Sequence, residues 1–436
     1  MTSKNNNVAV LTLGCSKNIV DSEVLLKQIQ NSNIEIVDDI NHASTLIINT
    51  CGFIQDAKKE SIETIIKAVD LKNQGKLRKV IVMGCLSERY AAELKKEIPE
   101  VDTFIGTNDI VSVTKELGIK YNYKIINERY LLTPAHYAYL KISEGCDNPC
   151  SFCAIPLIKG KYISKPIEKI VLETENLVAS GVKELILIGQ DTTYYGIDIY
   201  GKRTLGLLLR KLSSIKGIEW IRLMYTYPAK FPEDILDTWI DNSKLCKYID
   251  IPVQHISDKV LRSMRRGISA RSIYSLIDKI RNKIPGIALR TSLIVGYPNE
   301  TEDEFRKLVN FVKEVKFERL GVFMYSAEEN TLSYKLGDPI PYADKNNRFK
   351  TLMDIQKQIS YKKNRKFIGK YLKVLVDNIE GSKAICRSEF DAPEIDNSVI
   401  IESPHILNKG NFYDVKIVNS NEYDLIAKYK PEYHNK

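Results

Sequence analysis

The chain has 436 residues, eight cysteines, and 64 Lys and Arg against 55 Asp and Glu, for a net charge of +9. That length allows about three domains with sizeable cores, and the mild basic excess permits an anionic partner without demanding one. No apolar run approaches the roughly 18 residues of a membrane span and no apolar leader follows Met1, so a soluble cytoplasmic protein with reduced thiols and no membrane partner is expected.

From the start, strand-like runs alternate with helical patterns. Residues 8–13 end in Gly14-Cys15 and precede a helical pattern over 21–29. Residues 45–48 end in Asn49-Thr50-Cys51 before a helix through 61–69, and residues 80–83 end in Gly84-Cys85 before a helix over 88–96. Such alternation implies βαβ units and a parallel sheet, here over residues 1–125. Each unit carries a cysteine just past the carboxyl end of its strand, at spacings of 36 and 34 residues. Ligands of parallel sheets bind outside those ends, so Cys15, Cys51 and Cys85 can converge on one point. One cysteine in such a place is usually a buried packing residue, but three at the same position of consecutive units ask for a shared partner.

A second series of units fills residues 132–365, after a variable stretch near 120–133. Its first strand, 137–142, leads into a loop carrying Cys146-x3-Cys150-x2-Cys153. Gly145 and Pro149 keep this loop out of a regular helix. Three thiolates are one short of closing a tetrahedral zinc site, and no fourth Cys or His follows at ligand spacing. A four-iron, four-sulfur cluster held by three residues leaves one iron open, while a zinc knuckle or small buried hydrophobes are the plainer alternatives. Strands at 184–188, 220–225, 248–253, 288–295 and 320–325 make six β/α units, a partial, open version of the barrel that closes with eight. Barrel sites sit at carboxyl strand ends. Those ends offer Gln190 and Asp191, Gln254 and His255, Arg290, and the Gly296-Tyr297-Pro298 turn. His255 reads as a satisfied structural histidine, and Met264-Arg265-Arg266-Gly267 as a solvated charge cluster.

The tail, residues 366–436, shortens to five β runs at 371–376, 383–386, 398–401, 412–418 and 423–429, which suggests a small barrel of the OB type. From Phe367 it holds nine Lys and Arg against eleven Asp and Glu, a net of −2, which argues against a grip on RNA phosphates. Residues 389–396 place four carboxylates in eight positions, a loop better suited to a basic protein. Cys246 and Cys386 lack ligand-spaced neighbours and read as structural.

The x3, x2 cysteine loop resembles the signature of the radical S-adenosylmethionine (radical SAM) superfamily. That resemblance implies a [4Fe-4S] cluster on Cys146, Cys150 and Cys153, whose open iron binds SAM and whose reduction yields a deoxyadenosyl radical. It also implies SAM contacts from Gln190, Arg290, Gly296 and Pro298. Leu-Gly-Cys-Ser-Lys-Asn at 13–18, Asn-Thr-Cys-Gly-Phe at 49–53 and Met-Gly-Cys-Leu-Ser-Glu at 83–88 are similar to the first domain of the methylthiotransferase family. There, three such cysteines hold a second [4Fe-4S] cluster that handles sulfur, and the tail resembles the family's TRAM domain. No catalytic residue beyond the clusters is implied.

Within that family, Ser143-Glu-Gly-Cys146, Cys153-Ala-Ile-Pro156, Gln190-Asp-Thr-Thr193 and Asp391-Ala-Pro-Glu-Ile-Asp396 resemble the branch acting on ribosomal protein twelve of the small subunit. The implied reaction places a methylthio group on the β-carbon of one aspartate, with an external reductant and sulfur donor. An unactivated C–H bond lies beyond side-chain acids and bases, so a cofactor must supply that step. Two other readings stand beside it. A tRNA methylthiotransferase acting on N6-isopentenyl or threonylcarbamoyl adenosine typically has Asn where this chain has Asp191. A non-enzymatic iron–sulfur sensor or electron carrier would not cleave SAM. Asn397 departs from the branch, which commonly has Gly there, but Asn tolerates the left-handed conformation such a turn requires.

Overall fold

The computed structural model describes residues 7–402 and 406–429; the segment ahead of residue 7, where no leader is expected, lies outside the described residues. Five strands form the first sheet, β1 (Asn7–Thr12), β2 (Glu35–Ile36), β3 (Thr45–Thr50), β4 (Lys79–Gly84) and β5 (Thr103–Ile105), in the order β2-β1-β3-β4-β5. All neighbours run parallel. Every residue of β3 is buried, as expected of a central strand with helices on both faces. Helices α1 (Ser16–Gln30), α2 (Gln55–Asn73), α3 (Cys85–Glu97) and α4 (Ile110–Glu116) follow β1, β3, β4 and β5. Helix α1 starts five residues ahead of the periodic pattern at Asp21, so Lys17 and Asn18 lie in its first turn.

The middle domain is an open six-stranded sheet whose strands, Tyr137–Lys141, Glu184–Ile188, Trp220–Leu223, Leu245–Asp250, Ala288–Val295 and Arg319–Met324, lie side by side in chain order. Its outer face packs on helices in one large core. A helix with a weak sequence signal, Tyr342–Asn364, covers the last strand. Leu352, Gln356, Ser360 and Asn364 are buried along it at four-residue spacing, so its inward stripe is helical in period but mostly polar.

The tail closes into a five-stranded barrel of Tyr371–Glu380, Lys383–Ser388, Val399–Glu402, Leu425–Lys428 and Phe412–Ser420. No helix among the described residues is long and apolar enough to cross a membrane. Cys386 is buried in the tail core and Cys246 against the inner face of the middle sheet, the structural places expected of them.

That inner face joins all three domains. Tyr137, Tyr139, Ile186, Trp220 and Tyr248 are buried there against Val20 of α1 and against Leu375 and Ala392 of the tail. The stretch at 120–133 is no loose linker. The Arg129 side chain is wholly buried, donates to the Tyr139 carbonyl (2.6 Å), and pairs with Glu23 of α1 and Glu173 of the middle domain, both at 3.5 Å. The acidic loop 389–396 also corrects its reading as a surface for a basic protein. Arg319 binds Asp391, Arg290 and the Tyr248 hydroxyl bind Asp396, and the Lys247 amide donates to Glu389. Its carboxylates fasten the tail onto the middle sheet. The left-handed residue of this loop is Glu394 (φ 69°), not Asn397, so the departure at Asn397 needs no special conformation.

Candidate active site

The first cysteine trio is built by tight strand-to-helix turns. Cys15 follows β1 and caps α1, Cys51 follows β3, and Cys85 opens α3. Gly14 (φ 92°) lets the first turn approach the second; a Cβ there would sit 2.7 Å from the Cys51 Cβ. Asn18 bridges all three turns. Its amide donates to the Leu13 and Thr50 carbonyls, at 2.8 and 3.1 Å, and its oxygen lies 3.9 Å from the Cys85 sulfur. Burial pushes the Cys51 thiol up, and the Cys85 thiol up to about 12 with the Lys159 cation pulling the other way. Cys15 is exposed.

The second trio sits on the loop after the first strand of the middle sheet. Gly145 has φ 65°, and a Cβ there would lie 1.9 Å from the Lys161 carbonyl oxygen. The loop is tied down along its length. Asn148 donates to buried Asp191 (2.8 Å), the Tyr162 amide to Asp147 (3.0 Å), and Ser151 to the Ser263 carbonyl (2.8 Å). Burial raises the Cys146 thiol to about 11 and that of Cys153 to about 12.

Arg266 corrects the reading of 264–267 as a solvated charge cluster. It is 4% exposed, donates to the Cys150 sulfur at 3.2 Å, and lies 4.3 Å over the Tyr227 ring. The Tyr227 hydroxyl is itself 3.6 Å from that sulfur. The sequence showed Arg266 only as part of that charge cluster and gave no sign of Tyr227, because Arg266 is 116 positions from Cys150.

The remaining strand-end residues are placed as follows. Gln190 is half-buried beside Asp191. Gly296 (φ 76°) donates its amide to Glu300 (2.8 Å), and Tyr297 between Gly296 and Pro298 is fully buried with its hydroxyl 3.0 Å from that of Ser151. The turn therefore touches the cysteine loop. Arg290 pairs with Asp250 (2.9 Å) and Asp396 (3.5 Å). His255 is buried; its Nδ1 accepts from the Ser257 amide (2.9 Å), while Nε2 has no hydrogen bond and faces Glu300 at 3.7 Å.

The two trios are neighbours. The short helix α5 (Ile155–Lys159) begins two residues past Cys153, and Cys85 packs on Ala154 and Ile158. Among the described residues no three His, Cys, Asp or Glu side chains converge as a single metal ion needs. Sulfurs around one zinc stand about 3.8 Å apart, whereas a cube of four irons holds its thiolates further out. Three thiols per group, lacking a fourth, suit such a cube.

Comparison with known proteins follows the same three-part division. Residues 7–106 match the model described as uncharacterized protein family UPF0004, 140–312 the radical SAM superfamily, and 368–429 the TRAM domain. The chain is 50% identical over 431 residues to the ribosomal protein uS12 methylthiotransferase RimO of Chloroherpeton thalassium, covering 98% of this chain and 99% of that protein. The chain belongs to the RimO family. The RimO of Flavobacterium psychrophilum is 50% identical over 97% of this chain and 98% of its own, and that of Bacteroides thetaiotaomicron 47% over 99% and 100%. Among solved structures, the radical SAM methyltransferase TsrM of Kitasatospora setae superimposes with a TM-score of 0.56 at 14% identity, covering 76% of this chain and 77% of its own. At that identity the likeness speaks for the fold alone. RimO membership, the two parallel sheets and the closed tail barrel agree with the architecture expected from the sequence.

Proposed function

We propose that this RimO-family chain is a radical SAM methylthiotransferase that adds a methylthio group to the β-carbon of an aspartate in ribosomal protein uS12. The observation that carries the reading is the packing of Cys85, from the first cysteine trio, on Ala154 and Ile158 just past Cys153 of the second, in a chain that matches uS12 methylthiotransferases along nearly its whole length. One enzyme that both activates sulfur and attacks a C–H bond needs two such sites within reach of one substrate atom.

Cys146, Cys150 and Cys153 would hold one [4Fe-4S] cluster, and Cys15, Cys51 and Cys85 a second. When bound, the clusters and SAM supply the one-electron and sulfur chemistry that side chains lack. The chain's own residues orient and enclose. Arg266 donates to the Cys150 sulfur and the Tyr227 hydroxyl lies beside it, so the two hold that side chain in place. The Asn148–Asp191 bond fixes the cysteine loop against the second strand, next to Gln190. Gln190, Gly296 and Pro298 would approach SAM, with Arg290 behind them holding the fourth and fifth strands in register through Asp250. The protein would work in the cytoplasm, with an external reductant and sulfur donor.

The test is mass spectrometry after anaerobic cluster reconstitution with SAM, sulfide and reductant. Two substrates compete, a uS12 aspartate-loop peptide and a tRNA anticodon stem-loop. A methylthio mass gain on the peptide's aspartate alone is expected, and a gain on the RNA alone would overturn the substrate. Cys150→Ala should abolish SAM cleavage, whereas Cys51→Ala should keep cleavage and lose sulfur insertion.

A further inference from the structure

Four lysines are buried among the described residues: Lys17, Lys141, Lys159 and Lys345. Removing an ammonium from water is costly unless an anion compensates. Three of the four follow that rule. Lys141 pairs with Asp21 and Glu144, Lys159 with Asp21 at 3.3 Å, and Lys345 with Asp338. Lys17 is 5% exposed, and no carboxylate among the described residues comes within ion-pair distance of it. Its ammonium instead lies 3.1 Å from the centroid of the Tyr225 ring. A π face satisfies part of a cation's field but accepts few of its three N–H donors.

The place is as telling as the missing partner. Lys17 lies in the first turn of α1, two residues beyond Cys15, and the next residues, Ile19 and Val20, pack on the inner face of the middle sheet. Tyr225 stands just past the carboxyl end of the third strand of that sheet. It is held at φ 57°, a left-handed conformation rare for an aromatic residue, with its amide donating to Asp250 (3.0 Å). Strain of this kind persists where the surroundings enforce it, commonly at ligand sites. The Lys17–Tyr225 pair thus spans the gap between the first cysteine trio and the strand ends of the radical SAM sheet.

We propose that Lys17 binds the carboxylate of the substrate aspartate, with the Tyr225 ring as the wall that positions its ammonium. This rests on the function proposed above. A carboxylate on Lys17 would supply the absent anion and place the adjacent β-carbon between the first trio and the strand ends of the radical SAM sheet. It would also give selectivity. An asparagine in the same position offers no charge, and a nucleobase offers none either.

The experiment is equilibrium binding by the reconstituted protein, without reductant, of uS12 loop peptides carrying Asp or Asn at the target position, alongside SAM binding and iron content. Wild type should prefer the Asp peptide. Lys17→Met should weaken Asp-peptide binding at least thirtyfold, which is about 2 kcal/mol, and bring it level with the Asn peptide. Iron content and SAM affinity should stay at wild-type values, and Lys17→Arg should restore much of the preference. A Lys17→Met protein that still prefers Asp overturns the inference alone. So does one that loses iron, which would give Lys17 to the cluster, or one that loses SAM affinity, which would give it to the cofactor's own carboxylate. A wild type that binds neither peptide overturns the substrate reading and this inference together.

Discussion

Arg387→Met should detach the tail barrel from the middle sheet. Glu184, fully buried on the second strand of that sheet, pairs with Arg222 (2.9 Å) and with Arg387 of the tail (2.7 Å). Arg387 also grips Asp377, which takes a further bond from His136 of the middle domain (2.8 Å). Losing the guanidinium leaves Glu184 with Arg222 alone and Asp377 with His136 alone, and breaking a buried pair from one side costs about 3–5 kcal/mol. Trp220 reports the event, because its ring sits 4.8 Å from Phe412 across the same boundary. Urea unfolding followed by its fluorescence should show the tail releasing before the middle domain, as separate transitions. Glu184→Gln combined with Arg387→Met should cost less than the two alone. A loss under about 1 kcal/mol, or strict additivity, would refute the network. The pH dependence follows by sign. Burial pushes both Glu184 and Asp377 up, but the guanidiniums beside them, together with His136 at Asp377, outweigh it and hold both below the ordinary carboxylate value. Their stabilisation is therefore full above roughly pH 4 to 5 and drains away as the pH falls through the lowered values.

Gly145→Ala should leave no room for the second cysteine loop to close, and iron per chain after reconstitution should fall by about half. Retention of full iron content would show the turn to be dispensable. Arg266→Met removes a charged donor from the Cys150 sulfur. Each ~1 kcal/mol by which that bond strengthens on reduction should lower the midpoint by roughly 40 mV, read in a redox titration followed by electron paramagnetic resonance. An unmoved midpoint would deny Arg266 its tuning role.

The six cysteines and the strands that present them were legible because their signals are local. Runs such as Thr45–Thr50 are apolar through their centre, and each is followed by a cysteine within three residues. What escaped the sequence was carried by charge pairs between distant segments. Arg129 looks like a linker residue until Glu23 and Glu173 flank it, and the acidic run from Glu389 looks solvent-facing until Arg290 and Arg319 meet it. Helix Tyr342–Asn364 hid for another reason, since a stripe containing Gln, Ser and Asn has helical period without hydrophobic contrast. Lys17 was visible as part of a motif, but not as a cation lacking an anion; only packing reveals that.

The shared inner face of the middle sheet also sets a timetable for synthesis. Tyr137, Tyr139, Trp220 and Tyr248 leave the ribosome well before Leu375, Ala392 and Phe412, the residues that cover them. Until the final barrel emerges, the nascent chain displays a broad aromatic surface that only Ile19 and Val20 of α1 partly cover, the kind of patch that chaperones bind and aggregates grow from. Cluster insertion competes with that interval. A chain truncated before the tail would keep all six of these cysteines and still be a poor candidate for a soluble protein.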